Sequence, residues 1–248
     1  MRKSAFTSLA ATVLFVLGGC KANGQAAFQQ DTIPTAAGEL TISFIGHGTL
    51  MFGFDRKVIH VDPVGREADY STMPDADLVL VTHEHGDHLD PDAIAAIRTE
   101  ETVVIYSRSC EGRVDGAVVM ENGDTRTELG IGLEAIPAYN LVHMRSSGQP
   151  YHPKGNGNGY VITFGDTRVF VAGDTENTPE MMALEDIDIA FLPMNLPYTM
   201  TPQMVAEAAR AFRPKILYPY HFGSTDPNEL VELLEGVEGV EIRVREMS

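Results

Sequence analysis

The sequence predicts an α/β fold with two β-sheets at its centre and helices on the outside. Three observations lead there. The first half of the folding part is a chain of short β-favouring runs broken by turn residues, and the last third alternates apolar strands with amphipathic helices; such mixtures of meanders and β-α-β units assemble as sheets flanked by helices. Hydrophobic residues make up 44% and charged residues 21%, the balance of a globular domain and not of a disordered or fibrous chain. With an unlike N-terminal segment set aside, roughly 210 residues remain, a length that suits one core.

In chain order, residues 1–19 read as a lipoprotein signal peptide. Arg2 and Lys3 supply the positive end, and the apolar stretch 6–19 is too short to span a bilayer as a helix. Leu17-Gly18-Gly19-Cys20 resembles the bacterial lipobox, which implies cleavage before Cys20, lipidation of its thiol and attachment to the cell envelope. Lys21 in place of Asp after the cysteine favours the outer membrane, on its periplasmic side, in a Gram-negative host. Residues 20–38, rich in Ala, Gln, Gly and Thr, read as the lipidated Cys and a flexible tether. With Cys20 lipidated, Cys110 is the one remaining thiol and no intramolecular disulfide can form. No Cys/His/Asn arrangement surrounds Cys110, so it is expected to be buried.

The domain proper is expected over 39–248. Residues 41–45, 50–54 and 57–61 are β-favouring runs separated by Gly-His-Gly and by Asp55-Arg56, an antiparallel meander. Residues 76–82 form a buried strand that leads into His83-Glu84-His85-Gly86-Asp87-His88. A helix follows, with Asp90 as N-cap, Pro91 at its first position, Asp92 favourable to the dipole, and Ile94 and Ile97 on one apolar face. Strands are expected at 102–106, 117–120 and 133–136, then a long loop over 138–158, a length that is often functional. Residues 159–164 and 168–172 make a hairpin around Gly165-Asp166. The end alternates: strand 187–192, helix 202–212, strand 215–220, helix 227–234, strand 240–245.

A formal net charge of −17 disfavours long nucleic-acid substrates and anionic lipid surfaces, although a metal centre can reverse that field locally. Its bland reading is a solubilising surface. The informative cluster is histidine-rich: three of eight histidines, His83, His85 and His88, fall within six residues together with Asp87. Extended residues two apart project to the same side, so His83 and His85 can share one ion, while Asp87 and His88 on the following turn can reach a second. Four ligand-type side chains on a solvated loop would bring no packing benefit.

The H-x-H-x-D-H pattern at His83, His85, Asp87 and His88 resembles the signature of the metallo-β-lactamase superfamily, with the likeness running over roughly 40–248. The resemblance implies a four-layer αββα sandwich with metal between the sheet edges. It also implies that Asp174, in Ala172-Gly173-Asp174-Thr175, bridges two metals and that His221, in Tyr218-Pro219-Tyr220-His221, is a ligand. Asp62, in Val61-Asp62-Pro63, matches an early acid that supports the ligands from behind. Gly46-His47, Asp87-His88-Leu89-Asp90 and the loop before Gly159-Tyr160-Val161-Ile162 resemble the branch containing the ascorbate phosphate lactonases and the phospholipase D acting on N-acyl phosphatidylethanolamines. That branch favours His152 over His143 as the remaining ligand; where many relatives carry a histidine after Pro-Ala, Tyr139-Asn140 stands here. His47 either lines the site or merely occupies its turn, and His60 reads as structural.

Five imidazoles and two carboxylates on two divalent cations leave excess positive charge, so a bridging water loses its proton near neutral pH and becomes the nucleophile. Asp87 and Asp174 are the expected catalytic residues, on a small ester, lactone or phosphodiester. Tyr198, Asn195 and Lys154 are candidates for contacting that small-molecule substrate. A His-rich set favours zinc, while mixed N/O ligation also accepts manganese or iron. One alternative is a non-catalytic, metal-stabilised binding lipoprotein, against which the intact ligand set argues. Another is the diiron flavoprotein oxidoreductase of this fold, which carries an acid at the position of His85 and an added flavin domain. The sequence leaves oligomeric state open, and no nucleic-acid partner is expected.

Overall fold

A computed structural model describes residues 28–247, so the signal segment and Cys20 lie outside the described residues. Its framework is two seven-stranded sheets laid down one after the other. The first contains β1 (Gln29–Thr35), β2 (Gly38–Gly46), β3 (Thr49–Phe54), β4 (Lys57–Val61), β5 (Ala76–Val81), β6 (Arg98–Ser107) and β7 (Val118–Met120), in chain order across the sheet. The second contains β8 (Thr125–Glu128), β9 (Ile131–Ala138), β10 (Gly157–Phe164), β11 (Thr167–Val171), β12 (Ile189–Pro193), β13 (Ile216–Tyr220) and β14 (Glu241–Ile242), again in chain order. Both sheets follow one plan: the first four strands pair antiparallel and the rest join parallel.

The main core fills the space between the sheets. Leu40, Ile42 and Phe44 alternate inward along β2, and Phe44, Phe52, Phe164, Phe191 and Tyr218 form a connected aromatic layer, with Phe191 stacked on Tyr218 at 5.0 Å. Rings at such spacings add to the burial of their area. β5 is covered on both faces, which accounts for its unbroken Leu-Val-Leu-Val run: Leu78 and Leu80 face the main core, while Val79 and Val81 pack with Ile94, Ile97 and Cys110 beneath α1 (Pro91–Ile97). Burial pushes the Cys110 thiol up to about 12, so it is an inert packing group.

The helices begin where the capping residues predict. Asp90 accepts the amides of Asp92 and Ala93 at the start of α1. α2 (Pro179–Met182), a single turn, is capped by Thr178. α3 (Pro202–Phe212) starts on Thr201, turns Val205, Ala206, Ala209 and Phe212 inward, and ends on Arg213 in the left-handed conformation. α4 (Pro227–Leu233) starts on Asp226.

Two expectations differ from what is found, and two elements, β8 and α2, were not anticipated. Residues 29–35, assigned by composition to the tether, are β1: Ile33 packs against the core, and Asp31 binds Arg243, Arg245 and the Tyr218 hydroxyl. β8 has no apolar signal, because its Thr-Arg-Thr-Glu face is mostly exposed at the sheet edge. α2 is too short to show a period. β14 spans only Glu241–Ile242, since the arginines that follow turn toward Asp31.

Candidate metal centre

Functional side chains collect where strands of both sheets end. Asp62 follows β4, His83, His85, Asp87 and His88 follow β5, Asp174 follows β11, and His221 follows β13; the carboxyl ends of parallel strands are where such folds gather ligands. His47 lies in the turn from β2 to β3, and the β9–β10 loop brings His152. His47, Asp62 and His221 all have positive φ, at 49°, 48° and 46°, a conformation that costs L-residues roughly 1 kcal/mol or more. The chain is bent sharply at three strand ends to aim these groups inward.

The rings and carboxylates form overlapping groups. In one, His85 Nδ1 lies 3.1 Å from His83 Nε2 and 3.2 Å from His152 Nε2, and Asp174 Oδ2 lies 3.3 Å from His152 Nε2 and 3.9 Å from His83 Nε2. In the other, His88 Nε2 and His221 Nε2 are 3.0 Å apart, each 3.3 Å from Asp174 Oδ1, with Asp87 Oδ2 3.8 Å from His221. His47 Nε2 approaches Asp87 Oδ2 at 3.4 Å, and its ring lies against His221 at 3.8 Å between centroids. Asp174 therefore turns one oxygen to each group.

These residues fit metal ions. Imidazole nitrogens converge on one another at 3.0–3.2 Å, and where each ring's other nitrogen carries the proton their lone pairs face a common point, the arrangement a metal ion takes. Asp174 Oδ1 is buried without a hydrogen-bond partner, a costly state for a carboxylate. Burial alone would raise Asp174, but His221 and His88 hold its carboxyl well below the ordinary range. His88 is held well above its ordinary value: burial opposes the charge, but Asp174 and Asp62 on its two sides favour it more. Burial pushes His221 down to about 4, which leaves a neutral donor. Burial would raise Asp87, but the contact from His47 and the charge of His88 outweigh it and hold the carboxyl low.

A layer of fixed partners orients the rings. Asp62 Oδ2 meets His88 Nδ1 at 2.7 Å and accepts the Thr82 hydroxyl at 2.7 Å, while Asp62 Oδ1 accepts the Thr82 amide. Thr82 Oγ1 in turn lies 3.0 Å from His83 Nδ1. Asn140 Oδ1 holds His152 Nδ1 at 2.7 Å and accepts its amide at 2.8 Å. Buried Glu176 accepts the Asn140 side chain and the amides of Leu141, Val142 and His143. Such partners fix tautomer and ring direction. His143 thus turns to Glu176, its Nδ1 2.8 Å from Oε1, and not to the histidine groups. His60 is buried, its Nε2 3.2 Å from Pro74 O, and is pushed down to about 4.

The histidine groups open into a cleft of about 510 Å³ lined by His47, Arg66, Asp87, Arg145, Tyr151, Asn195 and Tyr198 among others. Asn195 and Tyr198 were anticipated; Lys154 is not part of it, being paired with Glu180 at 2.7 Å over the Tyr139 ring. Arg66, Arg145, Tyr151, Asn140 and Glu176 had no signal, because nothing in a single sequence ties a loop arginine or amide to a distant histidine motif.

Residues 41–221 match the β-lactamase superfamily domain. A UPF0173 metal-dependent hydrolase of Pyrococcus horikoshii is 30% identical over 215 residues, covering 78% of this chain and 91% of that protein. The chain belongs to the UPF0173 metal-dependent hydrolases of the β-lactamase superfamily. Solved structures of related proteins agree with its fold. A protein of Parabacteroides distasonis described as a metal-dependent hydrolase is 50% identical, covers 89% of this chain and all of its own, and superposes with a TM-score of 0.85. Igni18, a metallo hydrolase of Ignicoccus hospitalis, is 25% identical over 84% of this chain and 95% of its own, with a TM-score of 0.66. As a member of this superfamily the chain is a metal-dependent hydrolase, and its His and Asp groups are those able to hold the metal.

Proposed function

We propose a dinuclear hydrolase that cleaves a small ester, lactone or phosphodiester, with one ion held by His83, His85, His152 and Asp174 and the other by Asp87, His88, His221 and Asp174. The observation that carries this reading is the division of Asp174, whose Oδ2 faces the first set and Oδ1 the second. When bound, two divalent ions there, zinc by ligand preference, supply an acidified water and a positive partner for charge on the attacked oxygen. The protein's own groups do the rest. Asp87 is half-exposed at the cleft, stays ionised at neutral pH and is placed to orient water. Asp62 and Asn140 hold the imidazoles of His88 and His152 in donor-ready tautomers. Asn195 and Tyr198 offer an amide and a hydroxyl at the cleft wall. The branch motifs around His47 and Asp87 support lactones and phosphodiesters within this range, and the Leu17-Gly18-Gly19-Cys20 motif supports a lipid-anchored enzyme of the cell envelope.

Elemental analysis of the purified domain should give close to two divalent ions per chain, falling to one or fewer in His83→Ala/His85→Ala. A screen over carboxylic esters, lactones and phosphodiesters should find turnover that Asp174→Asn reduces by at least 100-fold while circular dichroism stays unchanged. A fully active, metal-free protein, or an Asp174→Asn variant with wild-type rate, would sink the mechanism.

A further inference from the structure

We infer that the cleft selects substrates carrying a fixed negative charge, read by Arg66 and Arg145 from two separate loops; this rests on the hydrolase reading above. Both guanidinium groups line the same cleft as His85, Asp87, Asp174 and His221. Among the other lining residues the acids are Asp87 and Asp174, which face the histidine groups and would be balanced by metal bound there, while Glu67 pairs with Arg66 through one nitrogen. With metal bound the cleft would be a positive recess in a protein of net charge −17, and a cleft focuses such a field on what enters. A neutral substrate would leave the Arg66 terminal amino groups unanswered and Arg145 without an acidic partner.

Each arginine stands on a braced mount. Arg66 sits in the turn after β4, where Gly65 N is held by Asp90 Oδ2 at 2.9 Å and Glu67 N by Val64 O at 3.0 Å. Glu67 Oε1 takes only the Arg66 Nε, at 2.8 Å, so the two terminal amino groups have no hydrogen-bond partner among the described residues. Arg145 has no acidic partner among the described residues. It lies over the Tyr151 ring at 5.1 Å and donates to Tyr151 O, and Tyr151 packs edge-on against Tyr198 at 5.0 Å. Its loop is closed by Arg145 N to Gln149 O at 2.7 Å and Gly148 N to Arg145 O at 2.8 Å. Guanidinium forks held this way match the geometry of carboxylate and phosphate groups, and the apolar Tyr151 and Tyr198 rings leave room for the uncharged part of the ligand.

The test compares mono-4-nitrophenyl succinate with 4-nitrophenyl 4-methylpentanoate, its uncharged isostere, on the metal-loaded enzyme. Wild type should favour the anionic ester in kcat/KM, and the preference should shrink with added salt. Arg66→Ala/Arg145→Ala should lower the anionic-to-neutral ratio at least tenfold, and Arg145→Glu should push it toward the neutral ester. Lys154→Ala removes the same charge outside the cleft and should leave the ratio where it was. A ratio unmoved by the arginine variants, or lowered equally by Lys154→Ala, overturns the assignment. If wild type cleaves neither ester, the hydrolase reading fails on these substrates and anion recognition is decided by calorimetry with inorganic phosphate. A Kd at least tenfold weaker in the double arginine variant supports it, and an unchanged Kd refutes it.

Discussion

Asn140 occupies a place where the superfamily resemblance led one to look for a histidine, and its amide shows what that place does here. Its oxygen fixes His152 Nδ1, its nitrogen reaches Glu176 and the Tyr198 carbonyl, and Glu176 gathers the next three amides of the loop. The loop that delivers His152 is therefore pinned to the strand end that delivers Asp174. Asn140→Ala should weaken metal binding about 10- to 100-fold, measured by competition with a chelating dye, whereas His143→Ala, which loses only a contact to Glu176, should change it by less than threefold. Equal losses in the two variants would remove Asn140 from this role. The grouping of His83, His85, Asp87 and His88 was legible because those residues are neighbours in sequence and the strand period sets their faces. The choice of His152 came from position relative to β10 alone. Asn140 and Glu176 were illegible, because their meaning lies in a contact across 36 residues.

Among the elements, the turn between β2 and β3 carries more than its length suggests. His47 sits there in the left-handed conformation, its carbonyl accepts the His221 amide at 3.0 Å, and the next residue, Gly48, passes directly over the imidazoles. A methyl group on Gly48 would lie 2.7 Å from His88 Cε1 and 3.3 Å from His221 Cδ2, closer than packed carbons approach. Gly48→Ala should therefore displace both rings and reduce metal content at that side, leaving the group of His83, His85 and His152 filled; titration with cobalt and visible spectroscopy separates the two. Metal bound at wild-type stoichiometry and affinity would show that the turn yields instead. Long strands and capped helices were readable because apolar period and capping chemistry are local: α3 spans the expected 202–212. β1, β8 and α2 were not, since an edge strand with one packed side chain, or a single helical turn, has too few apolar positions to show a period.

At the scale of the molecule, Asp31 draws both ends of the described chain together. Its carboxylate takes three bonds from Arg245, at 2.7, 2.8 and 3.1 Å, and one each from Arg243 and the Tyr218 hydroxyl. Burial would raise it, but Tyr218 and the arginines win and hold its carboxyl below the usual range. Because the folded value is the lower one, this carboxylate stabilises the fold above about pH 4, and that contribution disappears as pH falls through the folded value. Urea unfolding should find Asp31→Asn less stable by about 1–3 kcal/mol at pH 7, with the gap to wild type closing as the pH falls below about 4 and through the lowered folded value; a gap independent of pH would assign the loss to packing. The two-sheet class followed from element order alone. That the two sheets repeat one plan was invisible, because the halves share no sequence period and only hydrogen-bond topology shows it. The clasp has a consequence for chain order. Glu246 N lies 3.0 Å from Gln29 Oε1, so a short linker can join residue 247 to residue 28, and new termini can be cut at the exposed pair Asp115-Gly116. A circularly permuted chain made this way, synthesising the Asp174 and His221 half before the His83 half, should bind metal as the parent does, because which half is made first is irrelevant to a centre assembled from the ends of both.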